Sequence, residues 1–187
     1  TGLVSGDDVS VSATGTFSDK NVGTGKTVTL TSTYAGADKG NYSITDQVNA
    51  TADITAKAIT ISGIAANDKS YDGTVNATID TGSASGWISG DTITVTTTGV
   101  FSDKNVGTGK TVTLSSTYGG ADVGNYSITD QASTTADITA KALSISGIAA
   151  NDKVYDGTVA AVVDVAGAVY TGLVSGDDVS VSATGTF

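Results

Sequence analysis

Along most of the chain, apolar and polar residues alternate, and small clusters of Gly, Asn, Asp and Ser break the alternation at intervals of about 8 to 12 residues. Residues 92–98 (TITVTTT), 110–114 (KTVTL), 126–129 (YSIT) and 141–146 (KALSIS) read as strands. Between them, SGD at 89–91, NVGTG at 105–109, GGAD at 119–122 and the ND ahead of YDG at 151–157 read as turns. A period of two gives a strand one face for a core and one for water. This spacing predicts an all-β fold of antiparallel sandwich units, with about six or seven strands each, rather than a βαβ fold.

The pattern also repeats. FSDKNVGTGKTVTL begins at Phe17 and again at Phe101, TADITAKA at Thr51 and Thr135, and ISGIAANDK at Ile61 and Ile145, each pair 84 residues apart. Residues 17–56 and 101–140 differ only at positions 31, 35, 39, 48, 49 and 50 and their copies. A longer period lies over this one, because residues 1–17 are identical to residues 171–187, whereas the middle copy, GWISGDTITVTTTGVF at 86–101, matches only in places. The chain therefore divides into residues 1–56 as the closing portion of a first repeat, 57–140 as a complete repeat and 141–187 as the opening portion of a third. Identical phase at both ends predicts an excerpt from a longer array, with unpaired edges on the two partial repeats. Differences between copies concentrate in 74–100 against 158–186. With no aromatic or basic cluster there, that divergence reads as a guard against strand swapping between neighbouring repeats.

At the boundary, residues 51–63 read TADITAKAITISG, with no Gly until the end and no Gly/Ser filler. The last strand of one repeat should therefore lead directly into the first of the next, holding neighbours stiffly head to tail as a rod.

Composition narrows the chemistry. Every cation of the nine is Lys and every anion of the nineteen is Asp, the net charge is −10, and His, Cys, Met, Pro, Arg and Glu are absent. No imidazole relay, thiolate, disulfide or ordinary zinc site can be built from this alphabet. An acidic surface disfavours nucleic acid and anionic membranes, and no apolar run approaches the length of a membrane helix. Thr is the most frequent residue and good helix formers are scarce, while 39% hydrophobic residues in alternation argue against disorder. The chain is expected not to be an enzyme.

The segments GIAANDKSYDG (63–73) and GIAANDKVYDG (147–157), followed by FSDKNVGTGK and GADVGNYSI, resemble the YDG/MBG-type immunoglobulin-like repeats of large bacterial surface adhesins, including filamentous-haemagglutinin-like proteins. The resemblance covers nearly the whole chain. It implies immunoglobulin-like sandwiches displayed outside the cell, as the stalk or filament of a bacterial cell-surface or secreted adhesin. Such repeats often carry proline at the junction, where this chain has Ala56 and Ala140, a departure that bears on the angle between repeats and not on the fold. Implied partners are neighbouring repeats or other copies end to end, with the host or matrix ligand unspecified.

Other motifs admit chemical readings. GTGKT at 23–27 looks like the end of a phosphate loop, but Lys20 stands where the first Gly is required and a strand follows, so it reads as a Gly-rich turn. Asp68, Asp72, Asp152 and Asp156, with the pairs Asp7–Asp8 and Asp177–Asp178, are oxygen donors of the kind calcium takes. None has the spacing of a calcium loop, and capping of turns is the competing role, so no cofactor is expected beyond weak calcium candidates. Tyr71–Asp72–Gly73 and Tyr155–Asp156–Gly157 read as structural corners with the Tyr buried, the Asp bonded to the turn and the Gly supplying backbone freedom. Trp87 could stack on a sugar, but Leu3 and Leu173 occupy its aligned positions, which assigns it to the core. A binding module for carbohydrate, calcium or a partner surface is the alternative function. An intramolecular Lys–Asn cross-link would suit a cysteine-free fibre, with no pair identifiable. Asn41, Asn49, Asn76 and Asn125 head glycosylation sequons of the kind a Thr-rich chain contains by chance.

Overall fold

The computed structural model describes residues 2–82 and 84–187. Thr1, which opens the first expected segment, and Ser83 lie outside them. The described residues are all-β, with no α-helix and two single-turn 3-10 helices at Lys39–Asn41 and Val123–Asn125. Strands β1 (Ser10–Phe17), β2 (Gly23–Ala35) and β3 (Asn49–Ile54) come first. The complete repeat holds β4 (Lys57–Thr60), β5 (Ala65–Ala66), β6 (Lys69–Ser70), β7 (Asn76–Ala77), β8 (Ile79–Asp80), β9 (Thr94–Phe101), β10 (Gly107–Gly119), β11 (Tyr126–Thr129) and β12 (Ser133–Thr139). The last segment has β13 (Ser144–Ser146), β14 (Ala149–Ala150), β15 (Ala160–Ala161), β16 (Val163–Asp164), β17 (Val169–Thr171) and β18 (Gly185–Thr186).

Sequence repetition is carried into structure. β1 and β2 lie 84 residues before β9 and β10, and the bulge in β2 between Gly23 and Lys26 recurs in β10 between Gly107 and Lys110. At that bulge Gly25 and Gly109 take φ +59°, and each donates its N–H at 2.7 Å to an aspartate of the paired antiparallel strand, Asp53 in β3 or Asp137 in β12. The GTGK motif is therefore a bulged strand.

Proximity groups the chain into two compact units, each drawing on two sequence repeats. The first contains Thr1–Ile61, Ser85–Val95 and Tyr118–Asp130; the second contains Ser62–Ala84, Thr96–Thr117 and Gln131–Phe187. In the first unit β1, β2 and β3 form an antiparallel sheet with no fully buried residue, and β4 pairs in parallel with β11. Its buried side chains are Ile59, Ile61 and Tyr126. In the second unit β6 and β12 pair in parallel, β12 and β10 antiparallel, and β7 and β9 antiparallel. Its core is Ile64, Phe101, Val112, Leu114, Ala136 and Ile138, and Gln131 fixes the edge by bonding both the N–H (3.0 Å) and the carbonyl (2.7 Å) of Ile64. β15 and β18 reproduce the pairing of β7 and β9.

Several expectations are corrected. Among the described residues the complete repeat has nine strands, because two-residue ladders at β5 to β8 occupy stretches whose periodicity is too short to register. The sheets are mixed: the opening strands β4 and β6 run parallel to strands about 70 residues later, a separation long enough to return the chain in the same direction. The strand expected at 92–98 runs instead over Thr94–Phe101, since the Thr92 N–H and carbonyl bond to Asp122 at the next turn. The strand expected at 141–146 shortens to β13, which pairs antiparallel with β17 and not with a copy of β11. At the repeat boundary β3 and β4 are separate strands joined by Thr55 and Ala56.

Candidate functional site

The YDG corner is built on a lysine. Asp72 Oδ1 accepts the Thr74 N–H at 2.8 Å and the Thr74 hydroxyl at 2.9 Å, and Gly73, at φ +78°, turns the chain between them. Into this turn comes Lys69, whose Nζ donates to Asp72 Oδ1 at 2.8 Å and to the carbonyls of Thr74 at 2.9 Å and Asn76 at 3.0 Å. The ammonium also lies 5.5 Å from the centroid of the Phe101 ring. The lysine beside Asp72, followed by the Thr74 N–H and hydroxyl, holds that carboxyl down at about 2. Lys153, Asp156, Gly157, Thr158 and Phe187 repeat the arrangement, with Nζ at 2.8 Å from Asp156, 2.8 Å from the Thr158 carbonyl and 2.9 Å from the Ala160 carbonyl. Asp156 is likewise depressed, first by Lys153.

The tyrosines of the two motifs differ. Tyr71 is half-buried and donates its hydroxyl at 2.9 Å to Asp177, in the following repeat. Tyr155 is 93% exposed, which overturns the expectation of a buried tyrosine. The physical reason is that the corner's hydrogen bonds run among Lys153, Asp156, Thr158 and Ala160 and do not draw on the phenol.

A second constellation lies where consecutive repeats meet. In the first unit Lys20 Nζ stands 3.1 Å from Asp91 and 2.9 Å from Asp122, and the Val22 N–H donates to Asn125 Oδ1 at 2.9 Å. Asp122, followed by Asp91, raises the Lys20 pKa. Asp91 is held in place by the Tyr126 hydroxyl, which donates to it at 2.6 Å and accepts the Ile88 N–H at 2.9 Å. Burial, then that carboxylate, pushes the Tyr126 phenol up. Tyr42 braces Val4 and Asp7 in the same way. In the second unit Lys104, the copy of Lys20, stands 3.5 Å from Asp177 and 5.9 Å from the Tyr71 ring centroid.

The remaining candidates separate. Asp68 accepts the Asp137 N–H at 2.7 Å, Asp8 bonds to the Ala37 N–H, and Asp152 is exposed. Among the described residues no three carboxylates gather as a metal cluster. Among the described residues, lysine ammoniums reach asparagine through backbone carbonyls, at Asn21 and Asn76. The Asn125 carboxamide is engaged with Val22 and Asn21. Trp87 is half-buried and Leu3 is 53% exposed, so this position lies outside the core to which sequence reasoning assigned it. No helix is long and apolar enough to cross a membrane among the described residues.

The family model described as the YDG domain matches residues 1–51, 55–136 and 139–187. The chain belongs to the YDG domain family. Comparisons with curated proteins and with solved structures each found no match. Within the YDG domain, sequence reasoning identified the corner but missed the lysine at its centre and the residues of the junction: Lys20, Lys104, Asp91, Tyr42 and Tyr126. The recurrence of Lys69 and Lys153 three residues before each aspartate was the available signal for the first. Nothing local signals the second, whose contacts across the repeat boundary join residues 71 to 106 apart.

Proposed function

We propose that this chain belongs to the structural stalk or filament of a bacterial cell-surface or secreted adhesin. In this reading YDG domains at 57–140, with partial domains at 1–56 and 141–187, fold as immunoglobulin-like sandwiches. They follow one another head to tail as a rod, extending a binding region or building extracellular fibres. The observation that carries the reading is the recurring junction: the same lysine of one repeat meets the same aspartate of the next at Lys20–Asp91 and again at Lys104–Asp177. Side chains committed to a neighbouring repeat, and a connection of two residues between β3 and β4, favour fixed succession over beads on a flexible string. The reading assigns the chain no catalysis and no cofactor.

The test is contour length. Electron micrographs or small-angle scattering of chains with increasing numbers of repeats should give a maximum dimension that grows in proportion to repeat number. A compact particle, or growth as the square root of repeat number, would refute it.

A further inference from the structure

We infer that the tyrosine of the YDG motif is the docking residue for the next repeat, and that the exposed face around Tyr155 takes the apolar–Ser–Gly–Asp loop of a following YDG repeat.

Three observations in the second unit converge. Tyr71 makes its hydroxyl hydrogen bond outside its own corner, to Asp177, which closes the Leu173–Val174–Ser175–Gly176–Asp177 loop. The same loop covers the corner's glycine: a Cβ on Gly73 would lie 2.8 Å from Val174 Cγ1, whereas one on Gly157 would meet nothing within 4 Å. Lys104, from the same repeat as Tyr71, completes the contact by facing both the phenol ring and Asp177. The docked surface thus consists of an aromatic ring, a glycine without a side chain and an ammonium. It receives a loop offering one branched apolar residue and one carboxylate.

Tyr155 supplies the control. Its corner has the same lysine wiring as that of Tyr71, so the tyrosine is dispensable to the turn. Val154 beside it is 88% exposed, and with Tyr155 it forms an uncovered apolar edge. The chain itself identifies the occupant, because residues 3–7 repeat the loop 173–177 to the residue and 87–91 repeat it as Trp–Ile–Ser–Gly–Asp. A YDG repeat thus carries both halves of the contact, with tyrosine and glycine at one place and the loop at another.

This inference deepens the stalk reading by naming how repeats join. Amide hydrogen exchange on the intact 187-residue chain tests it. Tyr71→Phe, which keeps the ring and removes the hydroxyl, should speed exchange in residues 172–179 by about 10-fold or more, the loss of one hydrogen bond to a carboxylate. Exchange at 72–76 should stay unchanged. Asp177→Asn, which alters the loop and leaves the corner intact, should reproduce the effect if the tyrosine variant folds poorly. Tyr155→Phe should change nothing in this chain. In a chain prolonged by a second copy of residues 18–187, it should loosen the newly added copy of 86–93. Unchanged exchange at 172–179 in Tyr71→Phe and Asp177→Asn would overturn the inference, as would equal loosening of both corners by the two tyrosine variants. A non-rod contour would defeat the stalk reading and leave this comparison standing.

Discussion

The corner at Lys69–Asn76 and its copy at Lys153–Ala160 share the same local geometry and differ in how deeply their surroundings are buried. Both lysines donate to the same three backbone and carboxylate acceptors, and both stand 5.5 Å from a phenylalanine ring. Yet Phe101 is 2% exposed and Phe187 68%, and Tyr71 is bonded across a repeat boundary where Tyr155 faces solvent. A short contiguous stretch therefore determines the hydrogen-bonded turn. Burial of its aromatic floor and use of its tyrosine are decided by strands and loops far along the chain. In physical terms, the turn is local and enthalpic, while the core beneath it needs β10 and β12 to remove apolar surface from water.

The largest effect that can break this comparison is at the aromatic floor. Phe101→Ala should destabilise the fold by about 3–5 kcal/mol, while Phe187→Ala should stay within about 0.5 kcal/mol, as urea denaturation will measure. Comparable losses would mean that the last segment has a core of its own. Glycine comes next. A Cβ on Gly99 would lie 2.4 Å from Ile79 Cδ1 and 2.9 Å from Val112 Cγ1, so Gly99→Ala should cost about 1–3 kcal/mol in overpacking. At Gly185 the nearest atom is Cγ1 of the half-exposed Val163 at 2.9 Å, where the neighbour can give towards solvent, and the same change should cost less in the same assay.

The smallest effect sharpens the comparison from the other side, because both corners should respond alike. Asp72 sits at about 2 against an ordinary 3.8. The unfolded chain therefore takes up this proton before the folded one. The contribution to stability is complete above pH 3.8 and is lost as pH falls towards 2. Lys69→Met should return the Asp72 titration towards its ordinary value, and Lys153→Met should do the same at Asp156, followed by carboxyl carbon shifts in NMR. A response at one corner only would show that the wiring is not local after all.

This division also explains what was legible in the sequence. The long strands β9 and β10 were readable in part, because alternation is a local signal, whereas the glycines around Gly109, read as a turn, form a bulge inside β10. The corner was readable as a structural motif for the same reason, through Asp72 and Gly73. The lysine hub escaped because its acceptors are mostly backbone carbonyls, which no sequence marks. Repetition of the motif placed Tyr71 in a buried corner, and Leu3 and Leu173 at the aligned positions placed Trp87 in the core, but such patterns report burial on average and not which neighbour arrives. The parallel pairing of β4 with β11 was hidden for a related reason: periodicity gives a strand two faces and carries no information about the direction of its partner.

That parallel pairing has a mechanical consequence. The chain enters the complete repeat through β4 and leaves it through β12, and its opening strands β4 and β6 lie parallel to β11 and β12. Pulling such a pair from opposite ends slides the two strands along each other, so the hydrogen bonds from Tyr126–Lys57 to Thr129–Thr60 are strained together. In an antiparallel hairpin pulled from its open end, the bonds would break in succession. A strand pair that must yield by shear resists a sudden tug far better than one that unzips.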